Sequence, residues 1–154
     1  MKIYYKLLKD VTAPTIIEKG DWIDLYTPKT DDINIRKGDV AKIPLGIAMK
    51  LPDGMEAILA FRSSTPFKYD IIPANAFGVI DQTYCGNNDE WKFPVFATSD
   101  VCIPIDSRLF QFRIQLSQKA TLWQKIKWLF SSKVELVETT MLKNNNRGGF
   151  GSTG

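Results

Sequence analysis

The chain has 154 residues, 44% hydrophobic and 24% charged, with a formal net charge of +3. That is enough apolar material for one core, and the mild charge permits anionic ligands without demanding nucleic acid. The sequence contains no histidine, which removes the Ser-His-Asp triad, the Cys-His dyad, His-ligated zinc and any imidazole base, so an enzyme of this composition works with a carboxylate, lysine, tyrosine or thiolate.

In chain order, residues 2–8 are apolar and aromatic and read as a strand, and residues 20–27 as a second. Residues 40–49 alternate loosely and break at Pro44 and Gly46. Leu51-Pro52-Asp53-Gly54 is a turn, with Pro presetting φ and Gly allowing φ > 0. Met55–Phe61 follows as a strand, and further runs lie at 77–80, 91–97, 109–116 and 134–137. Many short strands with Gly, Pro, Asp and Asn turns predict an all-β sandwich, jelly roll or small barrel.

Residues 119–132 break the pattern. At ~100° per residue, Leu122, Trp123, Ile126, Leu129 and Phe130 share an arc, which predicts a helix with that arc packed on the barrel or across a subunit boundary. Trp128 falls outside the arc and is the candidate for an outside partner. Residues 144–154 are Gly-rich and cannot build a core, so the chain divides into a barrel at 1–143 and a C-terminal arm at 144–154. Two cysteines are too few for a disulfide framework or a zinc site, which favours a reducing, cytoplasmic compartment. No run reaches the ~18 apolar residues of a membrane span, and no membrane or nucleic-acid partner is expected.

Several segments carry candidate chemistry. In the arm, successive backbone N–H groups with Ser152 and Thr153 suit an anion and Phe150 offers a flat ring for a base, although a flexible tail reads the same way. Arg62-Ser63-Ser64 ends a strand and suits phosphate oxygens, although a surface turn reads the same way. Asp81 follows an apolar strand and fits either a water-activating base or a turn cap, with Tyr84 close enough to cover a sugar face. Asp24 fits magnesium through water or a solvated loop, and Gln111 is polar within an apolar strand.

Taken in order, these segments resemble the trimeric deoxyuridine triphosphatase family. The motifs are Gly20-Asp21-Trp22-Ile23-Asp24-Leu25, Arg62-Ser63-Ser64, residues 75–86 ending in Gly78-Val79-Ile80-Asp81-Gln82-Thr83-Tyr84-Cys85-Gly86, Arg108-Leu109-Phe110-Gln111, and Gly148-Gly149-Phe150-Gly151-Ser152-Thr153-Gly154. The resemblance implies a jelly-roll homotrimer with shared sites that cleaves dUTP to dUMP and pyrophosphate, with Mg²⁺ on the phosphates. It implies that Asp81 orients the attacking water and that the Tyr84 ring lies under the deoxyribose, where a 2′-OH would collide. It gives Arg62, Ser63, Ser64 and Gln111 to the phosphates, and Asn75 with the backbone of Gly78, Val79 and Ile80 to uracil. It makes Phe150 the lid ring, gives Gly151, Ser152 and Thr153 to the terminal phosphate, and assigns Asp24 to the metal's water shell.

Three positions depart from the family's pattern. Asp21-Trp22 replaces a small residue and glycine. The arginine usual about five residues before Phe150 is Asn145 here, with Arg147 nearer the ring as the phosphate contact. The turn after Gly86 is longer, Asn87-Asn88-Asp89-Glu90-Trp91. Relatives that deaminate dCTP on this fold carry a glutamate where this chain has Trp91, with Glu90 one residue early. A third reading gives the 119–132 insertion a protein-binding, regulatory role.

Overall fold

The computed structural model describes residues 1–130 and 133–150. Turn chemistry cuts most of the chain into strands. They run β1 (Lys2–Leu7), β2 (Thr15–Ile16), β3 (Ile23–Tyr26), β4 (Ile33–Ile35), β5 (Val40–Pro44), β6 (Ile47–Lys50), β7 (Met55–Phe61), β8 (Ile71–Pro73), β9 (Gly78–Ile80), β10 (Lys92–Ala97), β11 (Val101–Ile103), β12 (Arg108–Leu116) and β13 (Glu135–Glu138). Helices α1 (Thr65–Tyr69) and α2 (Leu122–Phe130) interrupt them. Gly54 sits at φ 79° in its predicted turn, and Met55 N–H closes the turn on the Pro52 carbonyl.

The strands form an all-β jelly roll. Its largest sheet has the order β2-β3-β12-β7-β9; the others are β13-β1-β6, β5-β10-β8 and β11-β4. Pairing is antiparallel throughout except for β13, which lies parallel to β1. Strand β7 alternates buried and half-buried residues, as expected for one face on the core. The interior carries a tilted aromatic chain, with Phe61, Phe93 and Phe110 spaced 5.1–5.4 Å between ring centres and Trp91 meeting Phe112 edge-on at 5.1 Å. Both cysteines are free thiols, Cys85 buried and Cys102 exposed.

Helix α2 starts later than expected. Thr121 and Gln124 form a capping box: the Thr121 hydroxyl accepts from Gln124 N–H, and the Gln124 side chain accepts from Thr121 N–H at 2.7 Å. The apolar arc does not pack on this chain's own barrel. None of the helix is fully buried, Leu122, Trp123, Leu129 and Phe130 are 71–86% exposed, and Trp128 is the residue packed against the core. Gln124, one turn before Trp128, lies against Gly54, so the helix meets the barrel through the Gln124–Trp128 edge. Ser131 and Ser132, the end of the predicted helix, lie outside the described residues.

Candidate active site

Short-range forces build the third motif. The Asp81 carboxylate accepts the Thr83 backbone N–H at 2.9 Å and the Thr83 hydroxyl, while its carbonyl accepts Tyr84 N–H. One oxygen, Oδ1, thus caps the turn. The other, Oδ2, pairs with the Arg147 guanidinium from the arm. Partial burial pushes the Asp81 carboxyl up, but Thr83 and Arg147 together hold it below its ordinary value. The turn-cap reading of Asp81 thus accounts for Oδ1, while Oδ2 faces the arm through its ion pair with Arg147.

Tyr84 is fixed at both ends. Its hydroxyl donates to the Glu90 carbonyl at 2.8 Å, and its ring meets Gly149 of the arm, where an added Cβ would sit 3.2 Å from Cε2. Burial, with Asp89 and Glu90 nearby, pushes the phenol up, so it stays neutral. Burial likewise pushes the Cys85 thiol up. Ala76, beside Asn75, has φ 57° inside a tight turn closed by Phe77 N–H on the Asn75 carbonyl. That is uncommon backbone for a residue with a Cβ, and it sits in the turn between β8 and β9, next to cavity-lining Asn75.

These groups line one cavity of about 300 Å³, the lower end of the usual range for ligand sites. It gathers Asn75, Gly78, Val79, Ile80, Asp81 and Tyr84 with Arg147 and Phe150 of the arm, together with Lys92 and Pro94 from β10. Strand β9 is the outer strand of its sheet, so one backbone edge can meet a ligand's hydrogen-bonding face. Phe150 lies at the rim, with Lys42 Nζ 4.3 Å from its ring centre. Gly151, Ser152 and Thr153 lie outside the described residues.

The second group of predicted residues gathers elsewhere. Arg62 Nε pairs with Asp24 at 3.0 Å and Arg108 Nη1 pairs with the same carboxylate at 3.3 Å, while Asp24 itself is 2% exposed. Gln111 donates to the Phe61 carbonyl at 3.1 Å. Arg62 and Ser64 border a separate hollow with Arg108 and Lys68, and Ser63 is exposed beside it. The Thr65 hydroxyl and Arg62 N–H both donate to the Leu109 carbonyl, fixing the turn that presents the serines.

The register separates the two groups. Ile80 stands opposite Ala57, and Arg62 lies five residues further on, just past the end of β7, roughly 16 Å at the usual rise per residue. Arg62 also points across β12 to Asp24 on β3, whereas β9 flanks β7 on its other side. The Arg62 backbone therefore stands well away from the Asp81 turn, and its guanidinium is held on the far side of β7 from β9.

Sequence reasoning missed two contributors. Arg108 opens the fourth motif and shares Asp24 with Arg62; only the cross-strand pairing makes that visible. Asp89 is buried and holds the arm's backbone, 58 residues away in sequence. Glu90 pairs with Lys9 at 3.3 Å and with Lys92 of the cavity at 3.4 Å and accepts Gly46 N–H, while Trp91, at the position of the deaminases' glutamate, is fully buried.

Fold and cavity define the class: an all-β jelly roll in which residues 147–150 line a pocket together with a turn aspartate and a tyrosine ring. No family model matches the chain. It is 41% identical over 155 residues to the SPbeta prophage-derived deoxyuridine 5′-triphosphate nucleotidohydrolase of Bacillus subtilis (strain 168), covering 100% of this chain and 99% of that one. It is 35% identical over 139 residues to the deoxyuridine 5′-triphosphate nucleotidohydrolase of Rickettsia felis, covering 89% and 84%. The chain belongs to the deoxyuridine 5′-triphosphate nucleotidohydrolase, or dUTPase, family. Its fold matches the dUTPase of Streptococcus mutans with a TM-score of 0.64 at 21% identity, covering 76% of this chain and 98% of that one. It matches the dUTPase from phage phi11 of S. aureus with a TM-score of 0.65 at 16% identity, covering 78% and 93%.

Proposed function

We propose that this chain hydrolyses dUTP to dUMP and pyrophosphate, with Asp81 as the base that orients the attacking water. The observation that carries this reading is the placement of Asp81 beside Tyr84, the β9 edge and the arm in one cavity. Asn75 and the backbone of Gly78, Val79 and Ile80 read uracil. The Tyr84 ring, tethered through its hydroxyl, lies under the deoxyribose and rejects a 2′-OH by shape. Phe150 covers the base, and Arg147 moves from Asp81 to the phosphates when substrate enters. Gly151, Ser152 and Thr153 complete the phosphate contacts from the arm, residues 144–154.

The distance between Asp81 and Arg62 along β7 supports a homotrimer with shared sites. Arg62, Ser63, Ser64 and Gln111 of one subunit meet the phosphates of a nucleotide seated in another's cavity. Among the described residues no group of three Cys, Asp or Glu side chains could cage a metal. Mg²⁺ carried by the triphosphate keeps its waters and prefers substrate phosphates, and Asp24, buried and paired with Arg62 and Arg108, acts on that site through the two guanidinium groups it holds. Bound Mg²⁺ supplies charge neutralisation on the phosphates. Phosphoryl transfer needs positioning and charge more than covalent help, so a histidine-free site suffices. Two free thiols fit a reducing, cytoplasmic compartment. Among the described residues no helix is long and apolar enough to cross a membrane.

The test is pyrophosphate release from dUTP, dCTP, dTTP and UTP with Mg²⁺. Turnover of dUTP far above the others is expected, and equal turnover of all four contradicts the reading. The exposed face of α2 favours a second role, a protein contact through the 119–132 insertion. A pull-down comparing the full chain with one lacking that segment tests it, and identical partner profiles count against it.

A further inference from the structure

A buried carboxylate needs hydrogen-bond donors, because an unpaired charge away from water is costly. Asp89 is 1% exposed, and its donors are backbone N–H groups. Gly86 N–H reaches Oδ2 at 2.8 Å from within the loop. The remaining three contacts come from the arm: Arg147 N–H lies 3.0 Å from Oδ1 and 2.9 Å from Oδ2, and Gly148 N–H lies 3.0 Å from Oδ1. Flanking contacts are neutral. Asn87 accepts Leu142 N–H at 2.8 Å, and Asn88 N–H donates to the Asn146 side chain at 2.8 Å. Gly86 has no room for a side chain, since a Cβ there would overlap the Asn146 backbone.

We infer that Asp89 is a positioning residue that seats the C-terminal arm on the nucleoside cavity through the arm's backbone. The anchor at Arg147 and Gly148 immediately precedes Gly149 on the Tyr84 ring and Phe150 at the rim. When the arm lifts, the carboxylate loses every donor that the arm supplies, so the charge biases the arm toward closure. Asp89 also fixes the backbone from which the Arg147 side chain reaches Asp81. The role of the closed arm in turnover rests on the dUTPase reading of the cavity.

The test compares the full chain with Asp89→Asn, which keeps one acceptor oxygen, and Asp89→Ala, which keeps none. Trypsin cleavage after Lys143 and Arg147, without nucleotide, reads arm seating, and cleavage after Lys6 in β1 and Arg113 in β12 reads the barrel. Loss of charge-assisted hydrogen bonds is expected to speed arm cleavage about tenfold or more in Asp89→Ala, less in Asp89→Asn, with the barrel sites unchanged. KM for dUTP should rise about tenfold while kcat falls less, because binding energy is diverted to closing the arm. Arm cleavage as slow as in the parent, or barrel sites accelerating in parallel, overturns the inference. If dUTP is not hydrolysed at all, the substrate reading fails while the nucleotide-free trypsin result still decides on Asp89.

Discussion

Asp24 offers a quantitative test, because it is a buried carboxylate held by two arginines. Asp24→Ala removes both charge-assisted contacts, from Arg62 at 3.0 Å and Arg108 at 3.3 Å. Each such bond contributes about 1.5–3 kcal/mol. The arginine side chains keep 25% and 40% of their surface in water, so hydration recovers part of the loss and the low end applies. Two bonds at the low end give ~3 kcal/mol, which also meets the lower bound for breaking a buried ion pair. For a chain of this size that lowers Tm by about 6–12 °C. The assay is a thermal melt at fixed protein concentration, since assembly makes Tm concentration-dependent. Arg108→Ala, which removes only one contact, should cost about half as much. A shift under about 2 °C for Asp24→Ala would refute the reasoning and make the pairs solvated surface contacts.

Three other outcomes follow from the geometry. Arg147→Gln removes a group that holds the Asp81 carboxyl low, so its pKa rises and the acid limb of kcat/KM moves to higher pH; a pH–rate profile with an unmoved limb contradicts this. Tyr84→Leu removes the ring proposed to collide with a 2′-OH, so UTP turnover should gain on dUTP by about tenfold or more in a competition assay. Trp128→Ala should destabilise by about 1–2 kcal/mol in urea melts, whereas Phe130→Ser, at 86% exposure, should change stability by less than about 0.5 kcal/mol.

The strand pattern was legible because alternation and turn residues are local signals. The pieces it missed are short: β2, β4, β8 and β11 have two or three residues each, too few for a period to register. Helix α1, five residues with proline in its first turn, follows Ser64 and escaped for the same reason. For α2 the periodicity located the helix but not its docking edge, which depends on Gly54 and the barrel beneath it. The capping box at Thr121 and Gln124 was readable and fixes the start.

The candidate site divides along the same line. The five motifs, and Asp81 and Tyr84 within them, could be read from local patterns. Two features could not, because both depend on long-range register. One is the separation of Arg62 from Asp81 by the pairing of β7 with β9. The other is the hold of Asp89 on an arm 58 residues away.

The central claim is that Asp81 activates the water that cleaves the nucleotide. Measuring nucleotide binding and pyrophosphate release side by side for Asp81→Asn tests it most directly. The account predicts that dUTP still binds while kcat falls at least about 100-fold, the usual scale for losing a positioned base. Unchanged turnover with dUTP still bound would contradict it and remove Asp81 from that role.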